Sequence, residues 1–177
     1  MNEFAQILKK KIEEVIARRH FKPGYPNWHE WHDLGFPKQP GASKTTTWCN
    51  EAANAILVEM GYNTKSLLHR LGIGWTGATA LYDNAAQAAQ NPKNGIIQID
   101  KKFAQELANM GHVIFVAAKN PDPKRSSHVG IVCPSNSPYS EEEGPHIGQA
   151  GAVNGIRSEK KSFPGLSRPL YYIIPRK

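Results

Sequence analysis

Two cysteines in 177 residues are too few for a disulfide framework. Neither stands in a Cys-x-x-Cys pair or in a Cys/His run with zinc-site spacing, so no metal or other cofactor is expected. No apolar stretch approaches the ~18 residues that a membrane-spanning helix needs. The opening Met1-Asn2-Glu3-Phe4 has no apolar signal-peptide core and passes directly into amphipathic periodicity, so synthesis in the cytoplasm without a secretion signal is expected. Internal repeats and low-complexity tracts are missing. Acidic residues are in short supply, 15 against 22 Lys and Arg, which gives a formal charge of +7 and a pI near 9.4. Collagen, coiled coil, membrane protein and disulfide scaffold are thereby excluded. With 40% hydrophobic residues and a mean hydropathy of -0.52, the chain reads as a basic globular protein, one domain long.

The positive charge is uneven. Between Ile156 and Lys177 stand Arg157, Lys160, Lys161, Arg168, Arg176 and Lys177 against a single acid, Glu159, so this segment carries +5 of the net +7. Such a tail suits a polyanion: nucleic acid, an anionic membrane or the acidic polymers of a bacterial wall. A solvated tail kept soluble by its charge is the plainer reading. Nucleic acid is not the expected partner, because no recognised binding motif and no alternation of aromatic with basic residues accompanies the charge.

Phe4, Ile7, Leu8, Ile12, Val15 and Ile16 recur at helical spacing and predict a helix over residues 3–19. Prolines and glycines then interrupt all periodicity to about residue 44. A second helix is predicted from the Thr45-Thr46-Thr47 run to Gly61, with Ala53, Ile56, Leu57 and Met60 buried. A third covers about 76–90, closed by Asn91-Pro92, and a fourth runs from Lys101 to Met110 between an Asp100 cap and Gly111. Strands follow at Val113–Ala118, His128–Cys133, His146–Val153 and Leu170–Ile174, and Glu141-Glu142-Glu143 reads as a solvated turn. Helices first and strands afterwards predict an α+β domain with segregated elements, N-terminal helices packed on a C-terminal antiparallel sheet. Residues 1–44 form a helical N-terminal extension and irregular segment; residues 45–177 form the core of one domain.

Cys49, in Thr47-Trp48-Cys49-Asn50-Glu51, falls at a helix start, where unpaired amides and the helix dipole stabilise a thiolate. The same amides can bind an oxyanion. The spacing 49, 53, 56, 60 turns Cys49 inward, towards the sheet. A buried cysteine that only fills space is the competing reading. A nucleophilic cysteine needs a base, and His128 is the best placed of seven histidines, opening the apolar run His128-Val129-Gly130-Ile131-Val132-Cys133. Alternation puts His128, Gly130 and Val132 on one face and Val129, Ile131 and Cys133 on the other, which assigns Cys133 to the core. A third group should fix the imidazole tautomer. Gln149, alone among small residues on the next strand, is preferred, and Asn154 is the alternative. In a regular strand the two face opposite ways, so only one can reach His128 unless a bulge intervenes.

The order of these residues resembles that of papain-like CHAP and NlpC-type cell-wall hydrolases, most closely phage lysins and related bacterial amidases. The resemblance is carried by Thr47-Trp48-Cys49-Asn50 leading to Met60-Gly61, by Ala108-Asn109-Met110-Gly111-His112-Val113, by His128-Val129-Gly130-Ile131-Val132, and by Gln149 through Gly155, together spanning roughly residues 45–165. It implies a papain-like fold and a cysteine amidase or endopeptidase acting on peptidoglycan, with Cys49 as nucleophile, His128 as base and Gln149 as its orienting partner. CHAP domains usually place an acid or an asparagine third, and here that place holds glutamine. Trp48, Asn50 and Trp75 are the expected substrate contacts, Trp75 by stacking on a sugar, although core packing is the commoner fate of a tryptophan. The resemblance further implies a monomer that reaches the wall by release through a phage pore or a secretion system, with anionic wall polymers as further partners. His29, His32 and Asp33 suggest a metal site only loosely, because the histidine spacing is one short of HExxH. Rival readings are a non-catalytic basic wall-binding module and, less favoured, a nucleic-acid-binding protein.

Overall fold

Asn2 begins the first helix by accepting the Ala5 amide on its side chain at 2.9 Å, and its own Nδ2 donates to the Met110 carbonyl at 2.9 Å. That tie fastens α1 (Glu3–Ile16) to the end of a later helix. The computed structural model describes residues 1–18, 49–62, 78–151 and 153–175, and for Glu51 the backbone alone. Ala5, Leu8, Ile12, Val15 and Ile16 form the buried stripe of α1, whereas Phe4 and Ile7, expected inside, are 54% and 42% exposed. The stripe is rotated because the backbone of residues 4 and 5 sits directly on Gly111, whose missing Cβ leaves room for it. The helix also stops at Ile16, short of residue 19, where Ala17 caps it. Far from being an appendage, α1 shares one apolar cluster with the helices and strands that follow.

Helix α2 (Cys49–Glu59) ends as expected before Gly61, a left-handed residue at φ 80°. Its anticipated threonine cap lies outside the described residues. Ala52, Ala53, Ala55, Ile56 and Leu57 are buried, while Met60 is only partly covered. Helix α3 (Ala78–Ala89) is followed by a 3-10 turn, Pro92–Asn94, and then by β1 (Ile97–Ile99), a strand too short for alternation to reveal. Asp100 accepts the Phe103 amide at 2.9 Å and opens α4 (Lys101–Asn109), as its position predicted.

The remaining strands are β2 (Ile114–Ala118), β3 (His128–Val132), β4 (His146–Gln149), β5 (Gly155–Ser158) and β6 (Leu170–Ile173), with a short helix α5 (Glu159–Ser162) between the last two. Among the described residues these strands form one antiparallel sheet in the order β1-β6-β2-β3-β4-β5. The chain is therefore α+β. The expected segregation is incomplete, because β1 precedes α4 and α5 interrupts the strands.

Two layers cover the sheet. Val113, Phe115, Ala117, Val129, Ile131, Cys133 and Tyr172 pack with α1, α2 and α3. Ile114, Val116, Ala118, Val132, Ile147 and Tyr171 pack with α4 and with Phe163 just beyond α5. Residues alternate cleanly between the two, as a pleated strand requires.

A buried glutamine locks α4 to the sheet. Gln105 Nε2 donates to the Cys133 carbonyl and to Asn109 Oδ1, each at 3.0 Å, while its Oε1 accepts the His146 amide at 2.8 Å. Gln105→Ala strips partners from a buried carbonyl and a part-buried amide, and a loss of roughly 2–4 kcal/mol in urea unfolding is expected.

The glutamate run is the exposed turn expected, and its carboxylates are engaged at the surface. Lys101 pairs with Glu141 at 3.0 Å and Lys160 with Glu142 at 2.7 Å, and the Ser158 hydroxyl donates to Glu143 at 2.6 Å. The basic segment is likewise largely folded, with Arg157 on β5 and Lys160 and Lys161 on α5; Arg176 and Lys177 lie outside the described residues. Among the described residues, no helix is long and apolar enough to cross a membrane.

Candidate active site

Cys49 is the first described residue of α2 and is 5% exposed. Helix α2 packs chiefly along β3. Beyond its C-terminal end, Tyr62 donates to the Ile174 carbonyl at 3.2 Å, and Ile174 in turn bonds to Val113 at the start of β2. Because β2 pairs antiparallel with β3, that end of α2 lies near the end of β3. The Cys49 end, about 16 Å away along the helix, is directed to the end of the sheet where β3 begins.

His128 is the residue with which β3 begins. Its Nε2 lies 2.5 Å from Gln149 Oε1 on the neighbouring strand. An amide oxygen only accepts, so Nε2–H donates and Nδ1 keeps its lone pair. Asn154 takes no part. The fourth strand ends at Gln149, short of residue 153, and the chain turns back through Asn154, whose Oδ1 accepts the Gly151 amide at 2.9 Å. Its Nδ2 donates to the Ile16 carbonyl at 3.3 Å. Asn154 is thus consumed in closing the β4–β5 turn over α1.

Burial holds the His128 pKa below its ordinary value, with the Gln149 bond acting the other way. The unfolded imidazole therefore takes up a proton first as the solution is acidified. This contribution to stability is fully present above about pH 6.5 and is lost as the pH falls through that value towards the folded one. Urea midpoints measured from pH 8 to pH 5 are expected to fall more steeply in the wild type than in His128→Leu.

The structure brings His128 and Gln149 together on the sheet face covered by α4 and α5, where the imidazole meets the Phe163 ring edge-on at 5.5 Å between centroids. Cys49 belongs to the cluster on the other face, with Val129, Ile131 and Cys133. Ser127, one residue before His128, also points to that face and shares a 2.9 Å hydrogen bond with Thr79 on α3. Cysteine and histidine thus attend the same strand from different layers. Cys133 is fully buried, its thiol donating to the Pro134 carbonyl at 3.5 Å and pushed up to about 12 by burial, which keeps it protonated and inert.

Asn50 lies on α2 next to Cys49, whereas Trp48, Trp75, His29, His32 and Asp33 lie outside the described residues. Among the described residues no cluster of three His, Cys, Asp or Glu side chains could hold a metal ion. The site residue that sequence reasoning missed is Phe163. It sits in Lys160-Lys161-Ser162-Phe163-Pro164-Gly165, where basic residues and a turn leave no periodicity to mark a buried aromatic. Comparison of the chain with protein-family models returns no match, and comparison with curated proteins returns none either.

Proposed function

We propose that the chain is a papain-like cysteine hydrolase that cleaves an amide bond of bacterial peptidoglycan, as an N-acetylmuramoyl-L-alanine amidase or a stem-peptide endopeptidase. The observation that carries this reading is the His128–Gln149 hydrogen bond, at the head of the strand along which the Cys49 helix packs. It supports a base whose tautomer is already chosen. In the reaction, the Cys49 thiol gives its proton to His128 Nδ1, and the thiolate attacks the scissile carbonyl. The tetrahedral oxyanion takes a hydrogen bond from the Cys49 backbone N–H at the helix start. The imidazolium then protonates the leaving amine as the C–N bond breaks. A water molecule, deprotonated by His128, hydrolyses the thioester and restores the thiol. The step requires Sγ and Nδ1 to meet around the start of β3.

Digestion of purified walls, followed by mass spectrometry of the soluble products, tests the reading. An amidase releases intact stem peptides free of glycan, and an endopeptidase releases cut stems. A folded protein that releases neither contradicts the hydrolase reading.

A second reading, a non-catalytic basic module that binds walls, is favoured by one observation: Cys49 sits in the apolar layer opposite His128. It predicts sedimentation with walls and no released product. Part of its electrostatic basis is already spent internally, since Lys160 is held by Glu142 and Glu143. For a phage lysin or a secreted antibacterial effector, access to the wall would come through a pore or a secretion system.

A further inference from the structure

Helix α5 is only four residues long, yet it is fastened at three points. Ser158, at its head, donates to Glu143. Lys160 bridges Glu142 and Glu143, at 2.7 and 3.8 Å. Glu159 accepts a hydrogen bond from the Tyr171 hydroxyl of β6 and lies over Gly144, where a Cβ would stand 2.6 Å from its own. These ties converge on a segment whose next residue is Phe163. That ring is 6% exposed, packs into the cluster with Val132, Ile147 and Tyr171, and meets the imidazole of His128 at an interplanar angle of 60°.

We propose that Phe163 is a positioning residue for His128: anchored through α5, its ring closes the His128–Gln149 pair from water and holds the imidazole with Nε2 on Gln149 and Nδ1 outward. The importance of that orientation for catalysis rests on the hydrolase reading above. The physical coupling of Phe163 to His128 does not. Gln149 alone fixes one ring nitrogen, and a ring held at one atom can still rock; an aromatic wall at 5.5 Å removes that freedom and excludes competing water. Among the described residues, those facing His128 from the packed elements include Ala118 on β2, Gln149 on β4 and Phe163 after α5. The nearby charges on α5 are engaged elsewhere, Glu159 with Tyr171 and Lys160 with the glutamate run.

Nuclear magnetic resonance of the His128 ring, in wild type and Phe163→Ala, tests this on the full chain. Uncovering the imidazole should raise its titration midpoint by about half a pH unit or more, towards the ~6.5 of a solvated histidine. The ring nitrogen shifts should also lose their bias to the Nε2–H tautomer. Phe163→Leu stays apolar and keeps more of the volume, and it replaces Phe163→Ala if the latter does not fold; it should give a smaller rise of the same sign. An unchanged midpoint and tautomer in whichever variant keeps the wild-type near-UV circular dichroism overturns the proposal. So does a loss of wall hydrolysis without any change at His128, which would mark Phe163 as ordinary packing. Should wild-type protein hydrolyse nothing while the midpoint moves as expected, the hydrolase reading fails and the Phe163–His128 coupling stands.

Discussion

Cys49→Ala is expected to lower the rate of wall clearing by at least about 10³-fold while leaving the protein folded. Alanine keeps the helix start intact and removes one buried sulfur, at a cost of roughly 1 kcal/mol in thermal or urea unfolding. His128→Ala should bring a loss of the same order. The double variant should be hardly worse than either single one, because a nucleophile and its base act as a unit. Turbidity assays on purified walls, run beside unfolding curves, give both halves of the comparison. Additive losses would show that the two residues do not act as a unit, and clearing that survives Cys49→Ala would mean that the sulfur only fills space in the layer it shares with Val129 and Ile131.

Gly111→Ala should lower stability by about 3 kcal/mol or more. Two penalties coincide there. Gly111 has φ 89°, a conformation that side chains resist, and an added Cβ would stand 2.5 Å from the Phe4 Cβ and 3.0 Å from the backbone of Phe4 and Ala5. Backbone atoms of a helix cannot swing aside as a side-chain tip can, so α1 would have to lift from the sheet. Gly61→Ala is the natural control. Gly61 is also left-handed, φ 80°, but among the described residues nothing lies within 4 Å of its added Cβ, which leaves the conformational penalty of about 1 kcal/mol. The difference between the two urea midpoints isolates the seating of α1. Equal midpoints would show that α1 is not seated on Gly111.

Much of this fold was legible where local chemistry dictates structure. The Asp100 cap, the glycine stop at Gly111, the alanine-rich third helix and the alternation from His128 to Val132 each follow from a residue's own conformational demands. Less legible were short elements sustained by neighbours. A three-residue β1 exists because β6 pairs with it, and α5 exists because the glutamate run and Tyr171 hold it. The early end of the fourth strand depends on Asn154 folding back onto Gly151, a contact with no signature in periodicity. For the site, alternation correctly grouped His128 with Gly130 and Val132. It carried no information about which layer covers that face. The Cys49 helix covers the other one, beside Cys133, the cysteine set aside as core.

The place of β6 bears on how the molecule comes into being. This strand follows every other described strand in the chain, yet it lies between β1 and β2 in the sheet. On a ribosome, β2 to β5 can pair as they emerge, but β1 has no partner until residues 170–173 are out. Until then Tyr171 and Tyr172, one for each core layer, are also missing. Closure of the sheet is thus a long-range event that waits for nearly the whole described chain to be made. A stop codon anywhere before residue 170 should give an unfinished sheet with an exposed β2 edge, fit for aggregation or proteolysis and not for partial activity.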